Sequence, residues 1–373
     1  MTWRERAMEK KIKPPGDDMG APKLSICIAT YNRGQFIGET LDSILGQIEP
    51  SVEIIVVDGA SPDSTPEVME QYLTRHPNIR YFREQKNSGV DRDYDKAVGY
   101  ARGEYCWLMT DDDLLRPGAI ATVLSVLGGK DDLIIVNSEV RNMDLSVLLE
   151  SRRLALDADR EYCGEAVESF FADTANYLSF IGCVVVRRTC WLSRDRSPYY
   201  GTLFIHVGII FQNPPIANIR VIAEPLIIIR YGNAMWTSRS FEIWLFKWPK
   251  LIWSFPDFSD MAKRKICRRE PWRSVRPLFH HRALGSYTTT ELRRFWPTDT
   301  RNVEYFIAYL VSIFPATVAN LFAFLYFLLL TKPAPLVLHD LLHSGHASML
   351  SHFFARVLGL ESRYLKCRQA LLK

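Results

Sequence analysis

Paired cysteines are missing from this sequence. Its seven cysteines lie scattered over 373 residues with an odd count and no CxxC spacing, which excludes a disulfide framework and implies reduced thiols in a cytoplasmic compartment. An apolar core is missing from Met1–Pro22, so this stretch is expected to be a loose polar arm that exports nothing. A dominant charge is missing too: 46 basic against 42 acidic residues leave a net +4, and no basic segment carries a nucleic-acid motif, so nucleic acid is not an expected partner. No repeat or low-complexity tract occurs, and 47% hydrophobic residues exclude a disordered chain.

From Lys23 to Val136, short β-branched apolar runs alternate with longer amphipathic stretches at βαβ spacing, which predicts an α/β fold with a mostly parallel sheet between helices. The expected strands are Leu24–Ala29, Glu53–Val57, Ile79–Phe82, Tyr105–Met109 and Leu133–Val136, each apolar enough to be covered on both faces. Helices are expected over Ser64–Arg75, where Thr65-Pro66 reads as a cap followed by a first-turn proline, and over Gly118–Leu127. The alternation then blurs, leaving strands at Cys183–Arg187 and Ile227–Arg230 and a helix at Gly164–Ala172.

One long stretch, Phe306–Leu330, lacks charge altogether and is long enough to cross a bilayer. Arg293, Arg294 and Arg301 precede it, and Lys332, Arg356, Arg363, Lys366 and Arg368 follow, so the positive-inside rule draws both flanks to the cytoplasm. Pro315 offers a kink, and the expectation is a re-entrant segment or two short interfacial helices, with a buried soluble helix as the alternative. Upstream, Trp236, Trp244, Trp248, Trp253 and Trp272 interleave with Lys247, Lys250, Lys263, Arg264, Lys265, Arg268 and Arg269, a mixture suited to a membrane interface. The expected division is 1–22 arm, 23–234 α/β domain, 235–302 aromatic and basic interfacial segment, and 303–373 hydrophobic segment with an amphipathic tail. His339 and His343 share a helix face, but an interfacial helix explains them better than a second metal.

Three clusters sit where strands should end, the edge at which open α/β sheets bind ligands. Thr110-Asp111-Asp112-Asp113 follows an apolar strand, and three adjacent carboxylates fit a hard cation such as Mg²⁺ or Mn²⁺ shared with phosphates, or else an acidic helix cap. Thr30 and Tyr31 end the first strand and Asp58-Gly59 the second; Tyr31 can stack on a base and Asp58 can accept its N–H or a ribose hydroxyl, although Asp58-Gly59 alone also reads as a plain turn. Arg92 and Lys96, on the helix opened by Gly89-Val90-Asp91, can hold a diphosphate or form i, i+4 pairs. Lys23–Arg33 has no glycine-rich basic loop of the kind that a nucleotidyltransferase would want.

Over Lys23–Arg230 these markers, Ile28-Ala-Thr-Tyr-Asn32, Val56-Val-Asp-Gly-Ala-Ser-Pro-Asp-Ser-Thr65, Gly103-Glu-Tyr105 and Thr110-Asp-Asp-Asp113, resemble the family-two glycosyltransferases of the GT-A fold. Asn87-Ser-Gly-Val-Asp-Arg-Asp-Tyr-Asp-Lys-Ala97 further resembles bacterial O-antigen deoxyhexosyltransferases of the abequosyltransferase kind. The resemblance implies metal-dependent, inverting transfer of a deoxyhexose from a nucleotide-sugar donor, and the aromatic-basic segment with the apolar run adds the expectation of a polyprenyl-diphosphate-linked saccharide acceptor at the cytoplasmic face of the plasma membrane. Carried over, the family's nucleotide contacts fall on Tyr31 and Asp58 and its metal on Asp111 and Asp113; Thr30, Arg92, Asp111 and Asp112 join the expected nucleotide-sugar contacts from their place at the same strand-end edge. Many members carry two acidic residues where this chain has Asp58-Gly59, and the Glu-Asp pair that usually supplies the base is absent. In the equivalent stretch, Gly201–Gly208, His206 is the only titratable side chain and is therefore the expected base, with Asp195 and Glu224 in reserve. A histidine packed in a helix is the bland alternative. The rival function is a catalytically silent nucleotide-sugar-binding scaffold that recruits a membrane complex.

Overall fold

The computed structural model describes residues 21–233, 235, 237–297, 303–331 and 334–360. The N-terminal arm up to Gly20, Trp236, Arg301, Lys332 and the tail from Glu361, with Arg363, Lys366, Cys367 and Arg368, lie outside the described residues.

Each early apolar run becomes a strand because it can be covered on both faces. The strands are β1 (Leu24–Thr30), β2 (Val52–Asp58), β3 (Ile79–Arg83), β4 (Tyr105–Met109), β5 (Leu114–Leu115), β6 (Leu133–Arg141), β7 (Leu148–Glu150), β8 (Arg160–Tyr162), β9 (Val184–Arg187) and β10 (Ile219–Arg230). All of β1, β2 and β4 is buried. The strands form one sheet in the order β3-β2-β1-β4-β9-β6-β10-β5, with β7 on β6 and β8 on β10. Pairings β3-β2, β2-β1, β1-β4 and β6-β10 are parallel, whereas β9 runs antiparallel between β4 and β6. This is the GT-A-like, mixed and mostly parallel α/β sheet that the sequence leads one to expect.

Helices α1 (Ile37–Leu45), α2 (Thr65–Leu73), α3 (Val90–Tyr100) and α4 (Ala119–Val126) connect these strands. In α1, Ile37, Thr40, Leu41 and Ile44 fall on one buried face at i, i+3, i+4, i+7. Pro66 occupies the first turn of α2, and Asp63 accepts the Thr65 N–H at 3.1 Å, a hydrogen bond that Ser64 does not make. Gly103 has a backbone reason: a Cβ there would come within 2.7 Å of the Ser25 nitrogen, so only glycine lets the α3–β4 turn press against β1.

The register places Thr30 opposite Asp58 and Asp58 opposite Arg83, while β1 and β4 pair from Leu24 and Tyr105 to Ile28 and Met109. The carboxyl ends of β1 to β4 therefore share one edge, where the three expected clusters lie.

Beyond β10 the chain is helical. Trp248 joins the main core, Trp272 is buried in a second core with Leu278, Tyr287 and Trp296, and Trp244 and Trp253 pack partly buried against the main core. The expected membrane-interface role of this tryptophan segment is thus corrected for its described rings, which lie in the cores or pack against them, and Arg269 and Lys263 lie over the face of Trp253 at 5.7 and 5.9 Å. The uncharged run forms helices Val303–Ile313 and Ala316–Leu329, bent by 101° at Phe314-Pro315, where Arg282 Nε donates to the Phe314 carbonyl at 2.6 Å. Among the described residues no single helix is long and apolar enough to cross a membrane. A third core ties the Ala316–Leu329 helix to those at Val275–Leu284, Pro335–His343 and Met349–Val357. At its centre Asn320, fully buried, donates to the carbonyls of Ala283 (3.3 Å) and Leu341 (2.8 Å) and accepts from Ser348 N (3.2 Å) and Ser351 Oγ (3.1 Å).

Candidate functional site

The strand-end carboxylates divide into two that face the crevice and one that does not. Asp111 and Asp112 each keep 13% of their side-chain exposure and flank one guanidinium: Arg33 Nε lies 3.6 Å from Asp111 Oδ1 and Nη2 lies 3.3 Å from Asp112 Oδ2. Asn233 Nδ2 donates to Asp112 Oδ2 at 2.8 Å, and its carbonyl accepts from Arg33 Nη1 at 3.1 Å. Asp113 is buried and committed: Oδ1 accepts the Arg230 N–H at 2.7 Å, Oδ2 takes the Thr110 hydroxyl, and its carbonyl accepts from Thr40 Oγ1 at 2.9 Å. The expected metal pair, Asp111 and Asp113, is therefore not the pair that the fold presents. Alternation along a continued strand would have aligned residues two apart, but the chain turns after Met109, and Asp111 and Asp112 face the crevice instead.

The electrostatics follow from this packing. Burial and the neighbouring Asp112 push Asp111 up to about 7, against the pull of Arg33 and Thr30. Burial also raises Asp112, opposed by Arg33 and Asn233. Asp113 is raised further by burial and by Asp112. Arg33 and Arg230, the latter shared with Glu39, leave three carboxylates short of positive charge, and Asp111 and Asp112 would suit a hydrated Mg²⁺ or Mn²⁺ shared with phosphate. No group of three His, Cys, Asp or Glu side chains that could hold a metal ion alone occurs among the described residues.

Asp58, fully buried, accepts from Ser61 N (2.7 Å) and the Tyr81 hydroxyl (2.5 Å), with Arg83 Nε at 3.8 Å. Gly59 donates to the Thr30 carbonyl at 2.9 Å, which joins the β1 and β2 turns and brings Tyr31, half-buried, beside them. A Cβ on Gly59 would lie 2.8 Å from Asp93 Oδ2, so a second acidic side chain here would require the Asp93 carboxylate to shift. Arg92 is exposed and stacks on Tyr200 at 4.2 Å, while Lys96 is taken up by Glu84 (2.7 Å) and Ser88 (3.0 Å); neither contacts the carboxylate pair.

His206 is corrected by its surroundings. It is 1% exposed in the wholly buried helix Ile205–Phe211, its Nε2–H donates to the Leu178 carbonyl at 2.6 Å, and Nδ1 is enclosed without a hydrogen-bond partner. Burial drags its pKa down to about 4. A ring sealed from solvent cannot reach an acceptor hydroxyl. The reserve candidates do not replace it: Asp195 caps Ser197 at the surface, and Glu224 pairs with Arg116 at 3.2 Å. The carboxylates of α3 that sequence reasoning passed over are structural. Asp91 accepts the N–H groups of Gly201, Leu203 and Ile205 at 2.8, 2.9 and 3.1 Å, which fixes the loop ahead of His206.

Residues 25–194 match the family model described as Glycosyl transferase family 2. The chain carries a family-two glycosyltransferase domain. Among curated proteins, abequosyltransferase RfbV of Salmonella typhimurium is 29% identical over 223 residues, 56% of this chain and 67% of that protein. Chondroitin synthase of Escherichia coli is 31% identical over 123 residues, 33% of this chain and 18% of the relative. A crystal structure of S. aureus TarS 1-349 in complex with UDP overlaps 90% of this chain and 92% of that one, with a TM-score of 0.49 and 14% identity. Within this glycosyltransferase, Arg33, Arg230 and Asn233 are the site residues that sequence reading missed. Arg33 directly follows the Tyr31-Asn32 marker and was within reach, whereas Arg230 and Asn233 carry no local signal.

Proposed function

We propose that this glycosyltransferase moves a deoxyhexose from a nucleotide diphosphate to a polyprenyl-diphosphate-linked saccharide during surface polysaccharide synthesis of the O-antigen type. The observation that carries the reading is the Asp111–Asp112 pair around Arg33 at the strand-end edge of a family-two domain. Asp58 and Tyr31 would hold the nucleoside across β1 and β2, Asp111 and Asp112 the cation, and Arg33 the diphosphate oxygens. A bound Mg²⁺ or Mn²⁺ would offset the charge of the departing diphosphate. The family resemblance implies inversion, with the acceptor hydroxyl entering opposite the leaving group. The likeness to an abequosyltransferase supports the deoxyhexose donor.

A membrane surface is the proposed setting, at the cytoplasmic face of the plasma membrane. Three helices carry exposed apolar stripes at helical spacing: Val303, Phe306, Ile307, Leu310 and Ile313; Val318, Phe322 and Leu329; Met349, Leu350, Phe353 and Val357. Exposed Arg293, Arg294 and Arg356 accompany them, as anionic headgroups require. The helices would lie in the interface without crossing it.

The deciding experiment measures sugar transfer to bacterial lipid extracts by Asp111→Asn and Asp112→Asn beside the parent, with and without EDTA. Loss of about 100-fold or more in both variants at unchanged melting temperature, and loss in EDTA, is expected. Full activity in either variant would overturn the site, and nucleotide binding without any transfer would leave the silent scaffold.

A further inference from the structure

The donor edge is held from an unexpected direction. Tyr231, Gly232 and Asn233 leave the end of β10, and Asn233 grips both charges of the site, Asp112 through its amide and Arg33 through its carbonyl. Two residues earlier, the Tyr231 hydroxyl donates to Asp340 Oδ2 at 2.8 Å. Asp340 belongs to the Pro335–His343 helix, about a hundred residues further along the chain and beyond the family-two domain. The Tyr231 ring also stands edge-on to His339, with centroids 5.4 Å apart. Gly232, at φ +108°, lies beside the same ring: a Cβ there would be in ordinary contact with His339 Cε1 at 3.5 Å. The backbone of Tyr231 is tied to the sheet, its N–H donating to the Arg141 carbonyl at 2.9 Å. The loop is therefore clamped between the sheet and a helix of the C-terminal unit, with Asn233 at its tip.

We propose that the Pro335–His343 helix is a working part of the donor site, with Tyr231 and Asp340 as positioning residues that hold Asn233 where it sets the Asp112–Arg33 pair. This rests on the reading that Asp112 and Arg33 face the donor diphosphate. The physical argument is one of geometry. Asn233 serves a carboxylate and a guanidinium at once, so a small swing of the loop would break both contacts and let Arg33 close on the carboxylates. A partly buried, charge-assisted hydrogen bond two residues away restrains that swing.

The test uses the full-length chain and the nucleoside diphosphates UDP, CDP, GDP and dTDP with Mg²⁺, and measures the dissociation constant of whichever the parent binds. Tyr231→Phe removes one hydroxyl. It should weaken binding and raise the donor KM by roughly tenfold while kcat and the melting temperature stay near those of the parent. Asp340→Ala should do the same, the double variant should be no worse than either single one, and Asp340→Asn, which keeps an acceptor oxygen for Tyr231, should restore binding. Asp112→Asn is the reference. If it loses nucleotide while Tyr231→Phe binds normally, the clamp is refuted and the donor site stands. If both bind as the parent does, or the parent binds none of the four, the donor reading falls and the clamp falls with it.

Discussion

A sealed histidine makes a prediction that separates structure from catalysis. His206 has a folded pKa of about 4 against 6.5 for a free imidazole, because burial disfavours the charged ring. Below pH 6.5 the unfolded chain takes up a proton that the folded chain refuses, so stability falls with pH until the folded pKa is reached. For this one group the loss between pH 7 and pH 5 is about 2 kcal/mol. At the usual unfolding entropy per residue, a chain of this size should show it as roughly 2–3 °C of melting temperature. His281, pushed down to about 3 by burial and by His280, adds a parallel loss, so the informative quantity is a difference between variants. His206→Gln keeps an amide donor for the Leu178 carbonyl and does not titrate, and its melting temperature should fall less than the parent's between pH 7 and pH 5. Its turnover at pH 7 should stay within a few-fold of the parent. A variant with the parent's pH dependence of melting, or one whose turnover drops by about 100-fold at unchanged melting temperature, would return His206 to the role of base.

Asp113→Ala should lower stability by about 3 kcal/mol, read by thermal or urea unfolding, because the Arg230 N–H and the Thr110 hydroxyl lose a buried acceptor. Asp113→Asn keeps an oxygen for Arg230 and should be milder; abolished transfer in a fully stable Asp113→Asn would instead mark a metal ligand. Asn320→Ala breaks four hydrogen bonds at the third core and should cost about 3 kcal/mol, seen as faster amide exchange over the Ala316–Leu329 and Pro335–His343 helices with the sheet unaffected. The parent should float with anionic vesicles, and Phe306→Asp, Phe322→Asp and Phe353→Asp combined should stay behind; equal flotation would refute the interfacial stripes.

The early strands were readable because each is an unbroken apolar run covered on both faces, a local property. So was the donor edge, since parallel strands put every carboxyl end on the same side. The length of β10 was not readable. Only Ile227–Arg230 was expected, yet the strand starts at Ile219 and runs through Pro225, which sits at a register irregularity between Ile222 and Ile227 where no ladder N–H is needed. The division of labour among Asp111, Asp112 and Asp113 was equally hidden, because it is set by Arg230 and Asn233 more than a hundred residues away. The tryptophans misled for a different reason. Aromatic rings interleaved with lysine and arginine describe a bilayer interface and a core rimmed by long basic stems equally well, and only burial tells them apart.

The tight contact at Gly59 constrains how this chain could change its choice of donor. Asp93 Oδ2 fills the space that a side chain at position 59 would need, and Asp93 is itself held by Ser88 at 2.8 Å and approached by Lys96 at 3.8 Å. Installing a second acidic residue at 59 would therefore require the Asp93 carboxylate to move away from Ser88 and Lys96, or to be replaced by a smaller group. Position 59 and the packing of α3 are thus coupled, and a library that varies positions 59 and 93 together should accept larger residues at 59 more readily than one that varies 59 alone.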